Sequence, residues 1–500
     1  MPLPKDAFFR KMDALGLALT YADVRLKTGH SKVMPKDLDI TSLFSRNVPL
    51  NVPIVSAAMD TVTEYQLAIA MAKLGGLGII HKNMTPQEQG EQVYRVKNHL
   101  NAVIREPVTV DEVDTVKTVL DMRKRLGLPF HTFPVLDELR ALVGIVSQND
   151  FDFCDDTNAQ VSHIMSQKPV ISGSETTVRE AYEIMQRTKK KVLPLVDKSG
   201  NLTGMYIFSD VRRVISGEST LYNLDNNGQL RVGAAIGTGD DTSQRLEVLV
   251  SNGADVIVID TAHGDSDPVL QVLESAKKRY SHVDFVAGNV TEAESVRRLI
   301  DAGADGIKVG QGPGSIWTTR IVAGIGCPQV TAVYQSAQAA GEIPICADGG
   351  IEYSGDIPIA LGLGAGSIMI GSLLAGTSES PGETILRDGR RWKLYRGMGS
   401  LQAMQENEGS RDRYLQDDGS PLVPEGIESL VPHRGPLRET IAQLVGGLRK
   451  GMGYVGAGDV AELQLKTDFY RMSGASQTES HPHGVMMTQD APNYHRGEKL

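Results

Sequence analysis

Residues 306–320, GIKVGQGPGSIWTTR, join a short apolar stretch to a glycine-rich loop and then to the start of a helical pattern. The apolar stretch ends at Val309, and Gly310, Gly312 and Gly314 follow it at alternate positions. Glycine lets a backbone approach a ligand closely, and free loop amides can hold an anion. The stretch therefore predicts a buried strand whose carboxyl end opens onto a ligand-binding loop.

The same arrangement, an apolar stretch followed by Gly, Asp, Asn or Ser, recurs along the chain. Helical patterns separate most of these stretches, as in residues 63–74 and 292–302. Apolar strands that alternate with helices predict a parallel sheet, and eight such units predict an α/β fold of the (β/α)8 TIM barrel type. The alternation alone also allows an open doubly wound sheet, but the strand count favours the barrel. The stretches are Val52–Met59, Leu77–His81, Val232–Gly237, Val256–Asp260, Asp284–Gly288, Gly306–Gly310, Ile343–Asp348 and Ser367–Gly371.

An internal repeat interrupts this alternation between the second and third strands. Pro107-Val108 is matched by Pro169-Val170, and Asp150 is matched by Asp210, at offsets of 60 to 62 residues. Self-similarity of this kind predicts a duplicated supersecondary unit, here roughly β-α-β-β-α. We therefore predict that an inserted pair of repeats divides the barrel sequence into two parts.

The predicted boundaries follow from these patterns. Residues 1–95 form the first part of the barrel, 96–220 the inserted pair, and 221–500 the remainder. Within the remainder, residues 397–436 show little periodicity, which is typical of a lid or binding loop. Residues 465–500 read as an extended tail.

Composition limits the class of protein. The chain has 500 residues, 41% of them hydrophobic and 22% charged, which is typical of a globular protein. A net charge of −10 argues against a general nucleic-acid surface. No apolar run approaches the ~18 residues that span a membrane. Three widely spaced cysteines indicate a reducing compartment. We expect a cytoplasmic protein with no membrane partner and no specific nucleic acid.

Several further motifs follow the predicted strands in order. Together with the glycine loop they resemble the IMP dehydrogenase / GMP reductase family over almost the whole chain. The resemblance implies a TIM barrel with an inserted tandem CBS domain pair, assembled as a homotetramer. The motifs are Ser56–Glu64, His81–Asn83, Asp260–Gly264, Asp348–Ile351, Tyr395–Ser400 and Glu479–His483.

The resemblance also implies a reaction, the NAD-dependent oxidation of IMP to XMP that commits purines to guanine nucleotide synthesis. In the family a cysteine thiolate adds to C2 of the base, hydride leaves to NAD, and the thioimidate is hydrolysed. The implied cofactor-binding residues are Asp260, Gly310, Gln311 and Gly312. The implied substrate-binding residues are Ser315, Asp348, Gly349, Gly350, Gly371, Ser372, Tyr395, Arg396, Gly397, Met398, Gly399 and Glu425.

A potassium ion and a flap complete the implied site. Arg413 and Tyr414 resemble the pair that activates water for hydrolysis, a role that the residues alone do not indicate because arginine has a pKa above ~12. GMP reductases generally lack this flap, so residues 397–436 favour a dehydrogenase. The implied potassium ligands are backbone oxygens of Gly312, Gly314 and Trp317, with Glu479, Ser480 and His481 from a neighbouring subunit.

The inserted repeats carry a separate expectation. In CBS pairs the aspartate that closes each repeat contacts a nucleotide ribose, often after Ser or Thr three residues earlier. Ser147 precedes Asp150 at this spacing, whereas Ile207 precedes Asp210. The resemblance therefore implies purine nucleotides as possible ligands, with one of the two sites altered. The alternative is a purely structural pair.

Trp317 stands where the family has its nucleophilic cysteine, immediately before Thr-Thr-Arg. Indole nitrogen is a donor only, so no thioimidate can form there. The ring could stack on the purine, or it could block the base or nicotinamide site. Cys346 and Cys327 are not expected to reach C2.

Three interpretations of Trp317 follow. The chain is a dehydrogenase whose nucleophile codon changed by one base, or an inactive paralogue that binds nucleotide in a regulatory or oligomer-forming role. The third interpretation is a different reaction on a purine nucleotide, without a covalent step.

Overall fold

A closed barrel of eight parallel strands dominates the structure, a computed structural model that describes residues 3–99, 103–128, 130–216, 221–406, 421–486, 488 and 491–494. The barrel prediction is confirmed, and the open-sheet alternative is excluded because the eighth strand pairs with the first. In chain order the strands are Ile54–Ser56, Leu77–Ile80, Gly233–Ile236, Val256–Asp260, Asp284–Val290, Gly306–Val309, Ile345–Asp348 and Ser367–Ile370.

The barrel strands are short and buried because helices cover their outer faces. All five residues of Val256–Asp260 are buried, as are all seven of Asp284–Val290. Strands covered on both faces are expected to be apolar throughout rather than alternating, which is the pattern in the sequence. The covering helices are Tyr65–Lys73, Pro86–Lys97, Thr242–Ser251, Asp267–Arg279, Ala293–Asp301, Gln329–Ala340, Asp356–Leu363 and Leu437–Val455.

The helix Ala293–Asp301 shows how the sequence produces this covering layer. Val296 and Leu299 are buried at helical spacing, and Arg298 on the outer side pairs with Asp265 at 2.7 Å through Nε. The predicted helical stretches 292–302 and 63–74 are therefore observed with ends one or two residues shorter.

Smaller elements close the barrel and carry its upper loops. Strands Ser42–Ser45 and Val48–Leu50 form a hairpin, and Val24–Leu26 pairs with Phe469–Arg471. Strands Thr384–Arg387, Arg390–Arg396 and Glu428–Pro432 form a separate antiparallel sheet. No helix in the described ranges is both long and apolar enough to cross a membrane. The remaining helices include Pro4–Ala14, Thr319–Val322, Ser372–Ala375, Leu401–Glu406, Val460–Lys466 and Gly474–Glu479.

A second unit comprises Asn98–Thr220 with Asn226–Gln229. It contains two four-stranded sheets, and each internal repeat follows the order β-α-β-β-α. Each repeat also has its own hydrophobic core, one around Phe133 and one around Leu193. The first repeat comprises Val110–Asp111, Val116–Arg125, Phe133–Leu136, Leu142–Val146 and Gln148–Asp152, and the second Ser172–Gly173, Val178–Thr188, Val192–Val196, Leu202–Ile207 and Phe208–Ser216.

Candidate active site

A cavity of about 60 Å³ lies at the carboxyl ends of the barrel strands. Barrel enzymes place their active sites at this end, where the loops after the strands meet. Its volume holds about two water molecules, far less than the ~300 Å³ of a small-ligand site. Eight residues predicted from the sequence line it within the described part of the chain: Asp260, Gly310, Gln311, Gly312, Gly314, Trp317, Asp348 and Gly349.

The loop after the sixth strand needs glycine for two physical reasons. Gly310 has φ +142° and Gly312 has φ +66°, conformations that side chains rarely adopt. A Cβ atom at Gly310 would also lie 2.4 Å from the Asp348 carbonyl oxygen. Gln329 fixes the loop from below, because its Nε2 donates to the Val309 oxygen at 2.9 Å. The loop is therefore held in one conformation against the seventh strand.

Trp317 forms one wall of the cavity. Its indole packs on the α-carbon of Gly314, where a Cβ atom would lie 2.4 Å from the indole Cδ1. The Trp317 amide donates to the Gly314 carbonyl at 3.2 Å, and the next amide, of Thr318, donates to the Glu425 carbonyl at 2.9 Å. The side chain is partly buried. The indole thus borders the cavity, and the backbone of residues 317–318 is bonded to residues 425–426.

A buried lysine connects two carboxylates at the base of the cavity. Lys308, 1% exposed, places its Nζ 2.8 Å from Asp260 Oδ1 and 2.5 Å from Asp348 Oδ2. Asn289 donates through Nδ2 to Asp348 Oδ2 at 2.9 Å and to the Gly310 oxygen at 2.6 Å. One ammonium therefore orients acidic groups that come from the fourth and seventh strands.

Gln311 joins the loops after the fourth, fifth and sixth strands. Its Nε2 lies 3.2 Å from the Ala262 carbonyl oxygen and 3.2 Å from His263 Nδ1. Its Oε1 accepts from the Thr291 hydroxyl at 3.1 Å. Because protein atoms contact both ends of this side-chain amide, and the Gln311 carbonyl accepts from Arg320 Nε at 3.1 Å, Gln311 contributes rigidity to the site.

Residues 395–399 lie beside the glycine-rich loop after the sixth strand. The Tyr395 hydroxyl would be 2.8 Å from a Cβ at Gly371, and burial raises the pKa of this phenol well above its usual value. The phenol is therefore a neutral hydrogen-bond donor at physiological pH. Arg396 donates through Nε and Nη2 to Asp60 Oδ2 at 3.0 and 2.8 Å. The Glu425 amide donates to the Gly399 carbonyl at 3.0 Å, joining the two loops.

The other predicted residues are placed as follows. Ser315 is exposed on the glycine loop, and Gly350 adjoins Tyr21, whose Cε2 would be 3.3 Å from a Cβ there. Ser372 begins a short helix, and Gly397 and Met398 precede Gly399 in the loop after residue 396. Glu479, Ser480 and His481 end the helix Gly474–Glu479, with His481 Nδ1 2.9 Å from the Tyr494 hydroxyl. Arg413 and Tyr414 lie outside the described residues.

Cys346 and Cys327 do not supply a thiolate to the site. Burial raises the pKa of Cys346 to about 12, and it raises the pKa of Cys327 to about 11. The nucleophile in thiol chemistry is the thiolate, which such groups do not supply at neutral pH. Neither residue is part of the described cavity lining.

Sequence reasoning missed three polar residues that line the cavity, Asn289, Lys308 and Thr319. Lys308 carried a detectable signal, a charged residue in the middle of the apolar stretch 306–309. Asn289 follows Gly288 near the end of the fifth strand, the position where barrel enzymes carry functional groups. Thr319 is buried at the start of a short helix.

Known proteins resemble the chain along nearly its full length. An inosine-5'-monophosphate dehydrogenase from Halalkalibacterium halodurans is 49% identical over 482 residues, covering 95% of this chain and 98% of the relative. The corresponding protein from Bacillus subtilis is 47% identical over 482 residues, 95% of this chain and 97% of the relative.

Among solved structures, a GMP reductase from Trypanosoma brucei in complex with guanosine 5'-monophosphate superposes with a TM-score of 0.86. It is 38% identical, and the match covers 96% of this chain and 100% of the reductase. The length of the chain therefore does not distinguish a dehydrogenase from a reductase. The presence of residues 397–436 is thus weaker support for a dehydrogenase than the sequence indicated. The profile described as "IMP dehydrogenase / GMP reductase domain" matches residues 18–483. The chain belongs to the IMP dehydrogenase / GMP reductase family of oxidoreductases.

Proposed function

We propose that the site binds IMP and NAD and that its reaction is the oxidation of IMP to XMP. The observation that carries the proposal is the pair of carboxylates, Asp260 and Asp348, held at one cavity by Lys308. Two carboxylates suit two riboses, one from the substrate and one from the cofactor. The 46–49% identity to curated dehydrogenases, against 38% to the solved reductase, favours IMP as the substrate.

The substrate part of the site combines loop amides with a few polar side chains. Gly349 and Gly350 have φ +87° and +80°, and because the Gly349 amide donates to the Met369 carbonyl at 3.3 Å, the Gly350 amide is the donor that this turn would present to a phosphate. Ser315, Ser372 and the neutral Tyr395 phenol add hydroxyl donors. The side-chain hydrogen bond and ion pair of Asp348 within the described chain involve Oδ2, so Oδ1 is the oxygen that would accept from the ribose hydroxyls. The amides of Met398 and Gly399, with Glu425, would read the base edge.

The residues on the cofactor side fit a nicotinamide nucleotide. Asp260 is 4% exposed and lines the cavity, in reach of a ribose hydroxyl. Gly312 lines the cavity with φ +66°, and a Cβ there would lie 3.1 Å from Arg320 Cγ, so this position favours glycine and offers its backbone to a ligand. NAD, when bound, supplies the hydride acceptor. Asp260, with the backbone of residues 310–312, would orient it.

The cation and the assembly are also part of the proposal. The carbonyls of Gly312, Gly314 and Trp317 come from one tight turn, and backbone oxygens are suitable potassium ligands. Glu479, Ser480 and His481 would complete such a site from a neighbouring subunit of a homotetramer. Arg413 and Tyr414 retain their proposed role in water activation, and we expect the cytoplasm as the location.

We also propose that the second unit is a tandem CBS pair with one purine-nucleotide site. In the first repeat Asp150 Oδ2 accepts from both the amide and the hydroxyl of Ser147, each at 2.7 Å. In the second repeat Asp210 is 6% exposed and pairs with Arg213 at 3.1 Å. The different surroundings of the two aspartates support a ligand in the first repeat alone.

Trp317 removes the covalent step from this reaction. No thioimidate forms on an indole, and Cys327 and Cys346 hold their protons at neutral pH. We therefore expect the chain to bind its nucleotides without forming NADH, and Trp317→Cys to restore turnover. The solved reductase carries a cysteine-to-alanine substitution and still holds GMP, so a family member with a replaced cysteine retains its nucleotide.

The test measures NADH formation with IMP, NAD and potassium, for the unmodified chain and for Trp317→Cys. Calorimetry of IMP binding to both proteins accompanies it. NADH from Trp317→Cys alone supports the proposal. Turnover by the unmodified chain would contradict the role given to residue 317, and no turnover by either protein, with no IMP binding, would refute the function.

GMP reduction is the second candidate, because the reductase likeness extends over 96% of the chain. The same two proteins are mixed with GMP and NADPH, and the loss of NADPH absorbance is recorded. Oxidation of NADPH by Trp317→Cys, without NADH formation from IMP, would assign the chain to the reductase side.

A further inference from the structure

We propose that Lys308 is a positioning residue that orients both ribose-binding carboxylates and thereby couples the IMP site to the NAD site. The inference rests on the proposed function and adds a residue that acts through the two carboxylates. Lys308 reaches Asp260 and Asp348 at 2.8 and 2.5 Å, and all three side chains border the same cavity.

The barrel geometry explains why one lysine reaches both carboxylates. Lys308 lies on the sixth strand between its two neighbours, the fifth and seventh strands. Inward-facing residues of alternate strands share a layer in an eight-stranded barrel, so Asp260 on the fourth strand faces the same layer. On the neighbouring seventh strand Cys346 pairs with Lys308 in register, and Asp348 lies two residues further along that strand. The ammonium therefore sits where the two ligand sites meet.

The neighbouring backbone is shaped to hold the lysine. A Cβ atom at Gly288 would lie 2.7 Å from the Lys308 Cβ and 2.4 Å from its carbonyl oxygen. Glycine at this point of the fifth strand lets the lysine stem pass close to the barrel wall. Asn289 Nδ2 also donates to Asp348 Oδ2, at 2.9 Å, and so helps to hold this carboxylate. These contacts leave Lys308 1% exposed, so its position is set by packing as well as charge.

Removing the ammonium changes the charge state of the site. Asp260 and Asp348 would face each other without a cation, and two neighbouring carboxylates raise the pKa of one of them. Two further titratable groups near the lysine, Cys346 and Tyr395, have pKa values raised by burial and stay neutral, while His263, whose Nδ1 lies 3.2 Å from Gln311 Nε2, is present in the parent as well as in the variant. Any new pH dependence between about pH 6 and 9 would then come from the two aspartates.

The test compares Lys308→Met with its parent, in the unmodified chain and in Trp317→Cys, by calorimetry with IMP and with NAD. We expect both affinities to fall about 10- to 100-fold, the factor for one hydrogen bond to a charged group. The weakened affinities should also rise with pH, as the second carboxylate ionises, while the parent stays flat. A lysine that only stabilised the fold would change neither the affinities nor the pH profile.

Lys277→Met is the matched control. Lys277 pairs with Asp305 at 2.6 Å, just before the sixth strand begins and away from the cavity. Its removal deletes a lysine–aspartate pair beside the same strand. We expect IMP and NAD affinities within about twofold of the parent, together with a lowered melting temperature.

A double variant keeps the inference testable if Lys308→Met does not fold. Lys308→Met with Asp260→Asn leaves one carboxylate instead of two, and it is compared with Asp260→Asn alone. We expect IMP to bind the double variant about tenfold more weakly than the single variant, with no new pH dependence. Equal IMP affinity in these two proteins would overturn the inference while IMP binding to the parent still supports the proposed function. An absence of IMP binding in every protein would refute both.

Discussion

Replacement of Trp317 by alanine is expected to strengthen IMP binding by about tenfold. The indole packs on Gly314 and borders a cavity of only about 60 Å³, which is too small for a nucleotide. IMP can enter only if the ring leaves this position. Alanine removes the ring without introducing a thiol, so binding is measured without any covalent chemistry.

The magnitude follows from the surface that the ring must give up. A buried aromatic side chain covers roughly 150–250 Å², and because Trp317 is partly buried, about 100 Å² of indole is at stake. At about 25 cal/mol per Å², exposing it costs about 2–3 kcal/mol. Stacking of the displaced ring on the purine returns about 0.5–1.5 kcal/mol. The remainder, about 0.5–2.5 kcal/mol, corresponds to a roughly 2- to 70-fold weaker binding in the unmodified chain.

Isothermal titration calorimetry with IMP and potassium, without NAD, measures the effect. Trp392→Ala is the control, because the only other tryptophan lies in the strand Arg390–Arg396 and pairs with Ile385 away from the cavity. Its IMP affinity should match that of the unmodified chain. Equal or weaker binding by Trp317→Ala would refute the reasoning and show that the indole stacks on the base where it stands.

Three further predictions concern neighbouring features. Gly314→Ala should lower the melting temperature by several degrees in the unmodified chain and not in Trp317→Ala, because its Cβ would lie 2.4 Å from the indole; calorimetric scans of the four proteins check this coupling. Burial lowers the pKa of Lys5 from its ordinary 10.5 to about 8, so between these pH values the unfolded chain binds one proton more than the folded chain. The free energy of unfolding should therefore rise between about pH 8 and 10.5. Urea unfolding measures this rise, and Lys5→Met should lack it. In Trp317→Cys, iodoacetamide at pH 8 should modify the new thiol while Cys327 and Cys346 stay unlabelled by mass spectrometry, and rapid labelling of either would contradict their raised pKa values.

The barrel was predictable because its signal is repeated and local. Each strand is a short apolar run that ends in a polar or glycine residue, and eight repetitions outweigh errors at individual ends. Those errors are real. The first strand, expected over 52–59, is Ile54–Ser56, because from Ala57 onward the chain turns and the Met59 amide donates to the Ala57 carbonyl. Periodicity finds an element but does not locate such a turn.

The site residues were predictable only where they belong to one continuous segment of the sequence. The glycine loop and the aspartates at strand ends are visible in the sequence, since strand ends converge in a barrel. The role of Lys308 is not visible, because it depends on Asp260, which lies 48 residues earlier, on a strand that does not pair with its own. Only the closure of the barrel brings these side chains together. Residues 407–420 lie outside the described part of the chain, so the roles of Arg413 and Tyr414 remain predictions.

The buried charges also bear on which interpretation of Trp317 is correct. A lysine with two buried carboxylates contributes little net stability, because desolvation offsets the attraction between the charges. An apolar cluster of the same volume would serve folding as well, so Lys308, Asp260 and Asp348 are better explained by ligand binding than by stability. In the proposed function Trp317 changes the nucleophile position alone, and the ion pairs of this cluster are intact. Nucleotide binding is therefore expected to survive in a chain whose covalent step is lost. A single cysteine at residue 317 should be enough to restore that covalent step.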